Sequence, residues 1–299
     1  MPVLDLPAEL VTADWLADRL GDPRLVTVDA SVLGVDSPAG FHWLSGLDEY
    51  LITGHVPGAV FADLLEEFSD PAGPFSFTRP DAARLERVAR ELGIDDDVTV
   101  VVYDTSLGQW AARLWWLLRS AGIARVAVLD GGLRRWRAEG HGLDTGYEAP
   151  RTAGRLTLSP DDAFWADRDE VRAVVEGRAQ AALVCASPES DFRGETGRRP
   201  RRGHIPGSVS VPLATIVDRE RGTLRREADF SARAQVAPAS ASASDSDDGA
   251  RIVVYCGAGI AAAATAFALR QAGATDVAVY DGSLDEWVAD PEAPIVSLV

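Results

Sequence analysis

The sequence predicts an α/β protein of two tandem domains, each a mostly parallel sheet covered by helices on both faces. Short runs rich in Val, Ile and Tyr alternate with helical stretches, which is typical of parallel strands buried on both sides. In addition, four landmarks of the first half recur in the same order 149 to 152 residues later, which indicates a duplicated domain. The landmarks pair His55 with His204, Asp104 with Cys256, Asp130 with Asp281 and Trp136 with Trp287.

The domain limits follow from the repeat and from breaks in composition. We expect a first domain over 1–142, a linker over 143–160, where Gly, Pro and Thr interrupt the pattern, and a second domain over 161–299. The Ala, Ser and Asp-rich stretch near 234–249 is predicted to be a flexible surface insertion.

The individual elements are read from the same pattern. Strands are predicted at 25–29, 98–103 and 125–129 in the first copy, and at 181–185, 251–255 and 276–280 in the second. Helices are predicted at 81–92, 109–121 and 260–272.

Charge and composition exclude several classes of protein. The formal net charge of −17 repels phosphate backbones, so nucleic acid and anionic membranes are poor candidate partners. No run approaches the roughly 18 apolar residues of a membrane span, and the amino terminus does not resemble a signal peptide, so we expect a cytoplasmic protein. The few Cys and His residues are too scattered for zinc, and neither half has a dinucleotide fingerprint, so no metal and no cofactor are predicted.

The stretch "IVVYCGAGIAAAATAFALRQAG", residues 252–273, carries the clearest chemical signal. It places Cys256 at the carboxyl end of a predicted central strand, where open α/β sheets bind ligands. A Gly-rich turn that feeds a helix aims free N–H groups inward, and this favours the thiolate, a nucleophile at neutral pH. The alternative is a buried thiol that packs as a small hydrophobe.

The first copy reads "VVVYDTSLGQWAARLWWLLRSAG" over 100–122, with Asp104 in place of the cysteine. A carboxylate there can neither attack a sulfur donor nor carry a sulfur atom. We therefore predict that the first domain is catalytically silent and the second active.

With "FRGE", "RRGHIPGSVSVPL" and "VYDGSLDEW" around it, the "YCGAGIAAA" segment resembles the tandem-domain rhodaneses, the thiosulfate and 3-mercaptopyruvate sulfurtransferases. The resemblance implies two rhodanese-like domains and a catalytic Cys256. It also implies a loop that cradles a cysteine persulfide, formed here by Gly257, Ala258, Gly259, Ile260 and Ala261. In the implied reaction Cys256 takes the outer sulfur of an anionic donor and passes it to cyanide, a small thiol or a thioredoxin-like protein.

The choice between the two donors stays open. The Gly-x-Gly spacing of the loop is similar to the mercaptopyruvate branch, but the hydroxyl residues typical of that branch are missing. Leu65 and Phe77 stand where that branch has an Asp and a His. The cationic loop residues of the thiosulfate branch are also absent.

Basic residues near the loop are candidates for binding the donor. The segment "FRGETGRRPRRGH" carries an arginine cluster, of which we predict Arg193 and Arg202 as substrate-binding candidates, with Arg193 favoured because "FRG" resembles the family. The alternative is a solvated loop without contact to the substrate.

The second cysteine, Cys185, ends the predicted strand next to that of Cys256. It is a candidate resolving thiol that attacks or protects the persulfide. The alternative, which we favour, is a buried thiol. His55 and His204 stand in equivalent His-x-Pro-Gly turns of both copies, so a structural role is predicted for each.

Two other functions are alternatives to sulfur transfer. A related phosphatase needs an arginine six residues after the cysteine, and that position is Ala262. A non-enzymatic or weakly active module that carries sulfur or binds a partner is the second alternative, although such modules typically lose the cysteine.

Overall fold

The computed structural model describes residues 4–38, 40–149, 151–225 and 251–299. These residues divide into two compact units. The first unit takes in the described residues within Met1–Gly73, Arg79–Asp161 and Arg219–Thr223, and the second those within Pro74–Thr78, Asp162–Asp218 and Leu224–Val299. The insertion predicted near 234–249 lies outside the described residues.

The first half of the chain builds a five-stranded sheet and a separate hairpin. Its elements are β1 Leu10–Val11, α1 Ala13–Ala17, β2 Leu25–Asp29, β3 Val32–Ser37, β4 Gly40–Ser45, α2 Leu47–Ile52, β5 Val60–Phe61, α3 Ala82–Glu91, β6 Thr99–Tyr103, α4 Gln109–Ser120, β7 Val126–Leu129 and α5 Gly132–Ala138. The sheet order is β1-β7-β6-β2-β5 with every pair parallel, and β6 is the central strand. Strands β3 and β4 pair antiparallel outside this sheet.

The second half repeats the five-stranded parallel sheet. A 3-10 turn spans Asp162–Phe164, and the other elements are β8 Trp165–Ala166, α6 Arg168–Val175, β9 Ala182–Cys185, α7 Glu189–Arg193, β10 Val209–Ser210, α8 Leu213–Ile216, β11 Val217–Asp218, β12 Thr223–Leu224, β13 Ile252–Tyr255, α9 Ile260–Gln271, β14 Val277–Tyr280 and α10 Ser283–Ala289. The sheet order is β10-β9-β13-β14-β8, and β13 is the central strand.

Both faces of the second sheet are covered, as the apolar runs predict. Leu183 and Val253 share one core cluster with Val171 of α6 and Trp287 of α10. Val254, the next residue along β13, is equally buried, and α9 contacts β13 and β14. Because side chains alternate along a strand, burial of consecutive residues requires a helical layer on each side. The predicted α/β architecture is therefore confirmed.

The same turn recurs in both units and is held in each by a histidine that stacks on an aromatic ring. The Nδ1–H of His55 donates to the Tyr50 carbonyl at 3.0 Å, and the ring stacks on Tyr50 with centroids 3.8 Å apart. In the second unit the Nδ1–H of His204 donates to the Phe192 carbonyl at 2.7 Å, and the rings stack at 3.7 Å. Both histidines therefore fix the turn that follows them, in agreement with the structural role predicted for them.

The segment interpreted as a linker, 143–160, packs along the first unit. Asp144 exchanges two backbone hydrogen bonds with His55, at 2.9 and 3.0 Å, and the Arg155 carbonyl accepts the Asp96 N–H at 2.9 Å. The breaks in composition there mark an irregular segment, whose backbone forms these hydrogen bonds with the first unit. In the described part of the chain, no helix has the length and apolarity needed to cross a membrane.

Candidate active site

Cys256 follows the last residue of β13, the central strand of the second sheet. Its side chain is nearly covered, with 4% of the residue exposed. The backbone then turns through Gly257 and Ala258 to Gly259, which caps α9 with a φ of 81°. Glycine is suited to that position because other residues are strained at positive φ. The thiol therefore lies at the carboxyl edge of the sheet, at the start of a twelve-residue helix.

The peptide of Cys256 is held from both sides by the turn that begins α10. Its N–H donates to the Ser283 hydroxyl at 3.1 Å, and its carbonyl accepts the Leu284 N–H at 3.1 Å. The next carbonyl, of Gly257, accepts the Asp285 N–H at 3.0 Å. These bonds fix the backbone from which the sulfur projects.

The N-terminus of α9 is open to an anion. Among the residues that the structure describes, no side chain caps it, and Gly257, Ala258 and Ala261 of the loop are partly exposed. Uncapped N–H groups at a helix N-terminus carry partial positive charge and bind anions. The predicted cradle residues therefore comprise the turn after Cys256 and the first two residues of α9, and their role as a persulfide cradle stays a prediction.

The equivalent loop of the first unit already contains a buried carboxyl group. The Asp104 carboxylate is buried and accepts four backbone N–H groups at 2.8 to 3.0 Å. The donors are Ser106, Gly108, Trp110 and Ala111. Gly108 caps α4 with a φ of 85°, as Gly259 caps α9. The loop of the first unit thus has the backbone geometry of an anion site, occupied by its own carboxylate. In the second unit one residue fewer separates Cys256 from the equivalent cap at Gly259.

Two buried carboxyls lie at this edge of the first sheet. Burial raises the pKa of Asp104, although its four N–H donors oppose the rise. Burial also raises the pKa of Asp29 to about 6, and the nearby Asp104 charge adds to that rise. Ser31 connects the Asp29 carboxyl to the loop that follows Asp104, because its N–H donates to Asp29 at 2.9 Å and its hydroxyl accepts the Thr105 N–H at 3.0 Å.

An arginine lies against the Cys256 loop. The Nη2 of Arg199 is 2.5 Å from the point that a β-carbon on Gly257 would occupy. Its Nε donates to the Asp285 carboxylate at 2.6 Å, and Asp285 is the residue whose N–H holds the Gly257 carbonyl. The guanidinium therefore lies against the backbone of Gly257, the residue after Cys256, and its ion pair with Asp285 orients it there.

The two arginines favoured by the sequence have other surroundings. Arg193 ends α7, and its Nε donates to the Glu195 carboxylate at 2.9 Å with 48% of the side chain exposed. Arg202 is exposed. Sequence reasoning identified the cluster but did not single out Arg199, because nothing local in "GRRPRRGH" indicates which guanidinium folds back on the loop.

Cys185 lies on the strand next to Cys256, as predicted, but inside the core. Its register partner is Tyr255, and the cysteine is 0% exposed. Burial raises the pKa of the Cys185 thiol to about 11. Both cysteines are free thiols. The role of Cys185 as a resolving thiol stays a prediction. Its burial disfavours that role, because a protonated, buried sulfur is a poor nucleophile.

Only one set of described side chains has the spacing of metal ligands, and it lies in the first unit. Asp14, Glu139 and His141 approach one another there, and Arg135 donates to Glu139 at 2.7 Å. An arginine bound to one of the carboxylates already supplies the positive charge that a metal would bring. These residues are not part of the Cys256 loop.

Comparisons with known proteins agree with the repeat. The profile of the rhodanese-like domain matches residues 12–139 and 167–290. The 3-mercaptopyruvate sulfurtransferase of Escherichia coli K12 is 34% identical over 289 residues, covering 95% of this chain and 96% of its own. The thiosulfate sulfurtransferase of Mus musculus is 32% identical over 302 residues, covering 96% and 94%.

A solved structure gives the same result for the fold. The crystal structure of SseA from Escherichia coli, described as a 3-mercaptopyruvate sulfotransferase with the rhodanese fold, superposes with a TM-score of 0.78 at 29% identity. The match covers 92% of this chain and 98% of that one. The relatives named for 3-mercaptopyruvate and for thiosulfate therefore both match nearly the full length of the chain.

Proposed function

The chain belongs to the rhodanese-like domain family, with two copies of the domain, and on that premise we propose that it is a sulfurtransferase acting through a Cys256 persulfide. Its relatives named for thiosulfate and for 3-mercaptopyruvate are similar over nearly the whole chain. The donor class is therefore a small anion that carries a transferable sulfur.

The observation that carries this proposal is the carboxylate of Asp104 in the silent loop. Four N–H groups converge on it, and those of Gly108, Trp110 and Ala111 are at or beyond the helix cap that both units share. Counted from that cap, the matching N–H groups in the second unit belong to Gly259, Ala261 and Ala262. These groups support a negative charge on a persulfide, by the same logic as an oxyanion hole.

The reaction proceeds in two displacements. In the first, the Cys256 thiolate attacks the outer sulfur of the donor and forms an S–S bond. The bond that held this sulfur breaks, and its electron pair leaves with sulfite or with the enolate of pyruvate, which takes a proton. In the second, a nucleophilic acceptor attacks the outer sulfur of the persulfide, and the electron pair of the S–S bond returns to Cys256 as thiolate.

Arg199 is the residue that we assign to the donor's anionic group. Its guanidinium is held by Asp285 and lies beside Gly257, so a sulfonate or carboxylate bound to it would be close to Cys256. Charge-assisted hydrogen bonds from a preoriented guanidinium are among the strongest in proteins. Arg193 and Arg202 remain candidates for attracting the donor over a longer range.

The acceptor is a thiophilic nucleophile such as cyanide, a small thiol or a thioredoxin-like protein. We place the reaction in the cytoplasm, where such thiols are kept reduced. The net charge of −17 makes nucleic acid an unfavourable partner.

The test is to incubate the protein with thiosulfate or with 3-mercaptopyruvate and to measure the mass of the Cys256 peptide. The expected result is an increase of one sulfur atom with at least one donor, and release of that sulfur by cyanide. Cys256→Ser is the control and should acquire none. If neither donor labels the folded wild-type protein, the enzyme proposal is wrong and the partner-binding module is favoured.

A further inference from the structure

Ser283, the first residue of α10, has a backbone conformation that serine rarely adopts. Its φ is 49°, and Phe77 is the other residue besides glycine with positive φ in the described part of the chain. Ser283 is fully buried, so this conformation is imposed by its surroundings. Such strain in a β-carbon-bearing residue persists where the surrounding structure overdetermines it, and it concentrates at functional sites.

The first unit has a glycine at this position, in a turn that differs at the preceding residue, where φ is 82° at Gly131 and −64° at Gly282. The motifs "DGGLRRW" and "DGSLDEW" place Gly132 at the position of Ser283, and the φ of Gly132 is 54°. A β-carbon on Gly132 would lie 2.4 Å from the Asp104 carbonyl oxygen. The silent unit therefore has the residue that this conformation favours, and the other unit has replaced it with one that is strained.

The serine hydroxyl supplies what the glycine cannot. Its Oγ accepts the Cys256 N–H at 3.1 Å, and it donates to the Tyr280 carbonyl at 2.8 Å. The hydrogen bond to the carbonyl of the Cys256 position is common to both units. The Leu284 N–H donates to the Cys256 carbonyl at 3.1 Å, and the Leu133 N–H donates to the Asp104 carbonyl at 3.0 Å. What distinguishes the second unit is therefore an acceptor for the N–H of the cysteine.

We propose that Ser283 is a positioning residue for sulfur transfer, which holds the Cys256 peptide so that its sulfur meets the loop N–H groups. The inference rests on the function proposed for Cys256. With the N–H and the carbonyl of Cys256 both hydrogen-bonded, rotation about its φ and ψ is restrained. This fixes the direction of its Cα–Cβ bond. Sulfur transfer needs this alignment, because small displacements of reacting groups from a near-attack geometry reduce rates strongly.

Two substitutions separate this role from a purely structural one. Ser283→Gly removes the hydroxyl and also relieves the strain at positive φ, whereas Ser283→Ala removes the hydroxyl and keeps the strain. A structural role predicts that activity follows stability, so the glycine variant would be the more active. A positioning role predicts that both variants lose the same activity although Ser283→Ala melts at a lower temperature than Ser283→Gly.

The experiment measures persulfide formation at Cys256 under single-turnover conditions, together with steady-state kinetics and thermal melts. We expect the rate of persulfide formation to fall about 10- to 100-fold in both variants. The KM for the donor should stay near the wild-type value, because Arg199 and the loop N–H groups are unchanged. A fall in kcat without a change in KM is the signature of lost alignment.

The outcomes are distinguishable. If the wild type forms the persulfide and Ser283→Gly forms it at the same rate, the positioning role is wrong while the proposed function stands. If the rates of the two variants follow their melting temperatures, the serine is structural and the inference is overturned. If the wild type forms no persulfide with either donor, the proposed function fails and this inference fails with it.

Discussion

Arg199 and Asp285 form an ion pair with 2.6 Å between Nε and Oδ1, and it holds the guanidinium against Gly257. Arg199→Gln removes the charge but keeps much of the side-chain length. Loss of one charge-assisted hydrogen bond costs about 1.5–3 kcal/mol, so kcat/KM for the donor should fall roughly 10- to 100-fold. Matched controls are Arg193→Gln and Arg202→Gln, for which we expect less than about a threefold change. A larger loss of kcat/KM in either control would indicate that the donor binds to that arginine instead of Arg199.

Gly257→Ala should imitate the loss of Arg199. The new β-carbon would lie 2.5 Å from the Arg199 Nη2, and the flexible guanidinium, not the backbone, would move. We expect the melting temperature to change little and kcat/KM to fall as it does in Arg199→Gln. The double variant should then be no worse than either single variant, because coupled sites are not additive. Independent, multiplicative losses would show that Gly257 acts without the arginine.

Asp104→Ala should destabilise the first unit. Two buried and two partly buried N–H groups would lose their acceptor, and with partial rescue by water we expect the free energy of unfolding to fall by about 2–4 kcal/mol. Hydrogen exchange of the four donor amides measures the effect locally. A variant with unchanged exchange at Gly108 and Trp110 would contradict the proposed anion site in this loop.

Asp29→Asn should change the pH dependence of stability. The carboxyl is buried, and its pKa of about 6 in the folded protein exceeds the ordinary value of 3.8. Its contribution to stability is therefore complete below about pH 4 and is lost as the pH rises through 6, by about 3 kcal/mol for a shift of about two units. Because asparagine does not ionise, the variant should gain stability relative to the wild type between about pH 4 and 7. Urea unfolding at several pH values tests this, and parallel profiles would refute it.

Cys185→Ser should leave the chemistry of Cys256 unchanged. With a pKa raised to about 11, the Cys185 thiol is protonated at neutral pH and lies in the core. We expect the same persulfide yield and decay in the variant, measured by mass spectrometry after donor treatment. A shorter or longer persulfide lifetime would instead support the resolving role.

The sequence predicted the central strands and the helices that follow them well, because consecutive apolar residues bounded by glycine report burial on both faces. The strand predicted at 98–103 is found at Thr99–Tyr103, and the helix predicted at 260–272 is found at Ile260–Gln271. The hairpin of β3 and β4 was not predicted. Its strands are largely exposed, Gly34 interrupts β3 and Pro38 lies in the turn, so the segment lacks the apolar pattern of a buried strand.

The candidate site was predicted in part. The cysteine and its loop are contiguous in sequence, so the turn chemistry identified them. Arg199 and Asp285 are far apart in the chain, and their contact depends on how the segment around Pro200 folds back, which no local pattern encodes. Ser283 could have been found from the sequence, because the repeat sets it against Gly132 in "DGG" and "DGS".

Asp104 also limits the sulfur that the proposed reaction can load on one chain, because the first loop has a carboxylate where the second has its cysteine. Asp104 is covalently part of the protein and cannot dissociate, so sulfite and other small oxyanions cannot compete for that loop. Donor titration should accordingly saturate at one equivalent per polypeptide, and product inhibition should follow a single binding constant.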